Sequence, residues 1–187
     1  MKKGIKFLLI ADSLINLVLG MIGPIYAIFV EKIGGDILDA SWAYFAYLAS
    51  SGFIMYLISK WEDHVKHKEK LVFFGYFLTS LGCLSYIFVF NQLSLLITQV
   101  ILGIATAFLN PAFDALYSHY ILKKEEASDW GSWEALGYIV TAIAALVGGY
   151  LATYSNFKFL FVVMFIVSLI GAFVSLNLFR DKKYLNS

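Results

Sequence analysis

Polar and apolar positions in this chain are grouped in long blocks rather than in the short periods of a soluble domain. Crossing a hydrocarbon layer takes a helix of about 20 mostly apolar residues at about 1.5 Å rise each. Runs of that kind fall near residues 5–30, 41–59, 71–90, 93–120, 133–154 and 157–179. The pattern predicts an all-α membrane protein of six transmembrane helices. The longest polar stretches between them, residues 31–40, 60–70 and 122–132, are too short to hold a separate domain, so residues 1–187 are read as a single six-helix transmembrane domain. Loops this short make consecutive helices antiparallel neighbours.

Composition strengthens this reading. Of 187 residues, 60% are hydrophobic and only 14% are charged, against about 45–50% apolar residues in soluble domains. The first apolar run follows a lysine-bearing start, as in a secretory leader. It is long and lacks an Ala-x-Ala site, so it is expected to be retained as the first helix.

Charge fixes an expected orientation. Of the fourteen lysines and arginines, twelve fall before the first span, between spans two and three, after span four, or at the chain's end; only Lys32 and Lys158 lie on the other side. The positive-inside bias then predicts a multi-pass protein of the plasma (inner) membrane with both termini cytoplasmic. The lysine-rich side is expected to face anionic lipid, and the net charge of +1 gives no reason to invoke nucleic acid. The single cysteine, Cys83, lies in an apolar run and is expected to pack there without a disulfide.

Polar residues inside the spans supply candidate chemistry. At about 100° per residue, Asp12, Asn16, Gly20 and Gly23 of the first span share one face, and so do Gln99, Gly103, Ala107, Asn110 and Asp114 of the fourth. A carboxylate facing hydrocarbon costs at least about 2.5–3.5 kcal/mol, so Asp12 and Asp114 are expected to face a cavity inside the bundle. Asp12, Asn16, Gln99, Asn110 and Asp114 form the candidate substrate- or proton-binding set. The two prolines, Pro24 and Pro111, follow Asp12 and Gln99 at the same interval. With Gly23 they are the expected helix breaks, and their equal spacing in helices of opposite direction is what an inverted repeat of three helices plus three leaves behind. Apart from Lys158 at the edge of the sixth, the third and sixth spans hold no ionisable residue beyond Tyr76, Cys83 and Tyr86 and are read as lipid-facing. Small residues in the second span (Ala43, Ala46, Ser50) and the fifth (Gly137, Thr141, Ala145, Gly148) permit close helix approach.

Taken together these features resemble the amino-terminal half of a major facilitator superfamily transporter. Leu17, Gly20, Gly23 and Pro24 resemble the glycine-proline motif of multidrug efflux members. The family's acidic and basic loop between helices two and three is similar to Ser59, Asp63, His64, Lys66, His67 and Lys68, with both family glycines replaced. That likeness makes Asp63, His64 and Lys68 a candidate cytoplasmic gating loop. In the fourth helix Gly103, Ala105, Ala107 and Pro111 fit the family pattern, but Gln99 stands where the family has arginine. Gly148 and Gly149 keep the glycine pair of the drug-antiporter signature, and Ala144 and Ala145 replace the residues ahead of it.

The resemblance implies secondary transport of a small molecule by alternating access, with proton-coupled efflux as one form of it. A family member has two six-helix halves of the same orientation. This chain would therefore act as a homodimer or with a complementary six-helix half, through an interface expected on helices two and five. A fragment of a full-length transporter and a non-transporting membrane partner are the alternatives. An enzyme is not expected: no His-Glu-x-x-His or Gly-x-Ser-x-Gly motif occurs, and no metal or other cofactor is implied.

Overall fold

The computed structural model describes residues 3–121 and 126–180. Of the basic positions counted above, Lys2, Lys123, Lys124, Lys182 and Lys183 lie outside the described residues. All regular structure among the described residues is helical: α1 (Lys3–Ile22), a 3-10 turn (Gly23–Ile25), α2 (Tyr26–Lys32), α3 (Ile37–Asp63), α4 (Lys68–Tyr86), α5 (Gln92–Tyr120), α6 (Glu126–Tyr154), α7 (Phe157–Ser175) and a closing 3-10 turn (Leu176–Arg180).

Local chemistry explains where these helices begin and end. Proline cannot donate a backbone hydrogen bond, and at Gly23 and Pro24 the first span tightens into the turn between α1 and α2. Helix α2 closes in a Schellman motif, with Gly34 N–H donating to the Glu31 carbonyl and Gly35 N–H to the Val30 carbonyl, both at 3.0 Å. Gly34 takes φ +83°, a left-handed conformation that side chains resist. Gly34→Ala is therefore expected to destabilise the fold by about 1 kcal/mol, read as a lower midpoint in thermal unfolding of the detergent-solubilised protein. Asp36 starts α3 by accepting from the N–H groups of Leu38 and Asp39, while the Asp39 carboxylate accepts from Asp36 N–H. Asn91 and Ser94 make the equivalent reciprocal pair at α5, and Asn156 caps α7 through Phe159 N–H.

Helical extents depart from the hydropathy runs wherever polar residues are helical. The fifth helix starts at Glu126 rather than near residue 133, because Glu126 and Asp129 suit the positive end of a helix dipole. The second helix extends to Asp63, and the third runs from Lys68 only to Tyr86. Among the described residues, five stretches are long and apolar enough to cross a membrane: Gly4–Lys32, Ile37–Asp63, Gln92–Tyr120, Glu126–Tyr154 and Phe157–Phe179. Helix α4 is not among them. It carries Lys68, Glu69 and Lys70 in its first turn.

Packing follows a paired scheme. Helix α5 rests on α3 and α4, α1 rests on α6 and α7, and α4 packs on α7. In α1 the buried positions Ile5, Leu8, Ala11, Ile15, Val18 and Ile22 recur every three or four residues, a stripe of helical period. The core forms two clusters along the bundle axis. One gathers the start of α1, the start of α4, the end of α5 and Leu178; the other gathers Phe29, Cys83, Tyr86, Leu95, Phe157 and Phe161 at the opposite end.

The expectation that the third and sixth spans face lipid is overturned. In α4, Val72, Tyr76, Ser80 and Cys83 are fully buried, and in α7, Leu160, Met164, Ser168 and Ala172 are fully buried. A helix that is apolar on every side is compatible with lipid or with a core, and hydropathy does not distinguish them. The exposed helices are α3 and α6, with only 11% of their most apolar stretches buried. Their small residues serve the bundle itself. A Cβ at Gly103 would collide with Ser50 and the Tyr47 carbonyl on α3, and one at Gly148 with the Met21 backbone on α1. What α3 and α6 turn outward is large: Trp42, Phe45, Phe53 and Tyr56 on one, Tyr138, Leu146 and Tyr150 on the other.

Candidate functional site

Helices α1 and α5 touch each other little, and the space between them is a cavity of about 440 Å³. Asp12, Asn16 and Gly23 reach it from α1 and the turn after it; Gln99 and Asn110 reach it from α5. Their placement follows from helical period: the apolar stripes of α1 and α5 are held by α6, α7, α3 and α4, which turns the polar faces toward each other. Tyr26, Tyr44, Tyr47 and Tyr86 line the same space, with Leu19, Leu102 and Leu109 as apolar wall.

Two hydrogen-bonded groups define its polar surface. Asn16 Nδ2 donates to Asp12 Oδ2 at 2.9 Å, and Trp133 Nε1 of α6 donates to the same oxygen at 2.8 Å. Both donors converge on one oxygen, so the two hydrogen bonds fix the orientation of a carboxyl group that lines the cavity. Further along the cavity, Gln99 Nε2 donates to the hydroxyls of Tyr26 and Tyr86, each at 2.8 Å. Tyr47 and Thr106 share a hydrogen bond of 3.1 Å between α3 and α5. The result is an amphipathic chamber with a carboxylate at one end and an amide bridging two phenols at the other.

Not every residue singled out from the sequence sits there. Asp114 is exposed and does not line the cavity. Four residues beyond Asn110, about one helical turn further along α5, Asp114 lies past the cavity's end. Pro111 does not break α5, which runs unbroken from Gln92 to Tyr120, unlike Pro24 in its 3-10 turn.

The gating-loop candidates lie at the junction of α3 and α4, at the end of the bundle where the chain begins. Asp63 ends α3 and is exposed, His64 Nδ1–H donates to the Lys60 carbonyl at 2.6 Å, and Lys68 Nζ donates to the Glu62 carbonyl at 3.0 Å. Beside them Glu62 is buried. Glu69 accepts from His67 Nδ1–H at 2.8 Å. Glu62 was not singled out from the sequence, where the neighbouring Asp63 carried the motif.

Sequence reasoning also missed Trp133 and Tyr86. The Trp133 ring packs in tilted and edge-on contacts among Phe113, Tyr117 and Trp130 while its N–H donates to Asp12. An indole has one donor and no acceptor, so a tryptophan within an apolar helix calls for a partner; that requirement was the available signal. Tyr86 was missed because its hydroxyl reaches the cavity from α4, a helix read as lipid-facing. Among the described residues no group of three or more histidine, cysteine or carboxylate side chains is placed to hold a metal.

Comparison with known proteins agrees with this architecture. The chain is 26% identical over 170 residues to the quinolone resistance protein NorB of Staphylococcus aureus (strain bovine RF122 / ET3-1), covering 91% of this chain and 35% of the relative. Its fold is similar to that of the peptide transporter POT, crystallised with sulfate, at a TM-score of 0.74 and 18% identity over the whole of this chain and 39% of that one. The chain thus spans little more than a third of either. The model of the Major Facilitator Superfamily matches residues 8–186, and the chain belongs to that superfamily, a multi-pass membrane protein of a transporter rather than an enzyme family.

Proposed function

We propose that this chain forms one half of a secondary transporter that moves a small amphipathic molecule across the membrane by alternating access, with proton-coupled efflux as its mode. The observation that carries this is the chamber between α1 and α5, where an oriented carboxylate and a tyrosine-amide group face an apolar wall. A site with few placed polar groups in an apolar lining suits a small organic ligand. NorB's name makes a quinolone the first molecule to try.

In this reading α4 is the sixth crossing, buried by its neighbours and needing less apolar surface than the rest. An inverted repeat of α1–α4 and α5–α7 is supported by the packing scheme, since α1 rests on α6 and α7 as α5 rests on α3 and α4. The lysines near α1 and between α3 and α4 support, by the positive-inside rule, a reading with both termini cytoplasmic. The aromatic outer faces of α3 and α6 are the surfaces that a second copy, or a complementary six-helix half, would cover.

Reconstitution tests this. The protein in proteoliposomes, alone and with an imposed proton gradient, is expected to move a quinolone, and the flux is expected to scale with the dimeric fraction. Folded, dimeric protein that moves neither a quinolone nor a wider set of amphipathic solutes under either condition would refute the reading.

A further inference from the structure

At the end of the bundle away from the chain's start lies a second pocket, of about 340 Å³, between the end of α2, the end of α4 and the beginning of α7. Both Lys32 and Lys158 line it. These are the two basic residues that the charge asymmetry leaves on that side of the membrane, and they converge on one pocket although far apart in sequence. No acidic side chain lines it. Lys32 Nζ lies 4.9 Å from the centre of the Phe157 ring, which holds the ammonium over the pocket's aromatic floor. That floor is closely packed: Phe29 lies edge-on against Phe161 at 4.8 Å, and Tyr86 stacks on Phe161 at 4.9 Å.

Two cations above an apolar cavity match an anion that carries hydrocarbon. Lys32 ends α2 and Lys158 opens α7, and helix ends lie where a bilayer places its phosphates. We infer that this pocket binds an anionic phospholipid, its phosphate between Lys32 and Lys158 and part of an acyl chain against Phe29 and Phe161. The site does not rest on the transport reading. It does adjoin the chamber, because Tyr86 forms a wall of both.

Native mass spectrometry of the detergent-solubilised protein, titrated separately with phosphatidylglycerol, phosphatidylcholine and inorganic phosphate, tests the site. Retention of phosphatidylglycerol is expected to fall about fivefold in Lys32→Gln or Lys158→Gln and further in the double variant. Lys32→Arg with Lys158→Arg should keep it, and Lys66→Gln, at the other end of the bundle, should leave it unchanged. Both lysines are exposed, so these substitutions leave the core intact. Unchanged retention in the double glutamine variant overturns the proposal, as does an equal loss in Lys66→Gln. Phosphatidylglycerol retained no better than phosphatidylcholine while inorganic phosphate binds would also overturn it, the pocket then being a site for free anions.

Discussion

Gly148→Val is expected to lower the thermal unfolding midpoint of the detergent-solubilised protein by about 10 °C, the shift corresponding to roughly 3 kcal/mol of overpacking in a chain of this size. The added carbon would meet the carbonyl oxygen, carbonyl carbon and Cα of Met21. These are backbone atoms of α1 and cannot swing aside as a side chain does. Gly149→Val supplies the control, since a Cβ there would meet no neighbouring helix within 4 Å. Adjacent glycines with opposite outcomes would establish that α6 meets α1 through Gly148. Equal shifts at both positions would show that loss of glycine, not collision, is responsible.

That contrast bears on what the sequence could convey. The helices were legible because a spanning segment must be long and apolar, and the polar faces of α1 and α5 were legible because a buried carboxylate or amide needs company. Helical period then brought Asp12, Asn16, Gln99 and Asn110 to one cavity. Which apolar helices are interior was not legible. The stretch around Tyr76 and Cys83 is as apolar as a lipid-facing helix, and only its packing on α5 and α7 makes it core. Small residues on α3 and α6 were legible as points of close approach, but not which partner they meet: Ser50 lies against Gly103 of α5, and Gly148 against Met21 of α1. Trp133 lay hidden because its role depends on a contact between α6 and α1, across more than a hundred residues of chain. Asp114, on the same face of its helix as Gln99, missed the cavity because a shared face does not imply a shared depth.

Asp12→Asn is expected to reduce transport in the proteoliposome assay by about tenfold to a hundredfold, the range that corresponds to losing a hydrogen bond to a charged group. Asparagine keeps an oxygen that accepts from Asn16 and Trp133, so the substitution removes the charge while preserving the local bonding. Trp133→Phe does the reverse. It keeps the aromatic packing against Phe113 and Tyr117 and deletes the donor, freeing the carboxylate to rotate. If the charge itself meets the substrate or a proton, Asp12→Asn should lose transport at every pH, whereas Trp133→Phe should retain activity with an altered pH profile. Full activity in Asp12→Asn would remove the carboxylate from the mechanism and leave the group of Gln99, Tyr26 and Tyr86 as the polar element of the chamber. The absence of an arginine at position 99 makes this comparison decisive, because among the residues lining the chamber Asp12 alone carries a charge.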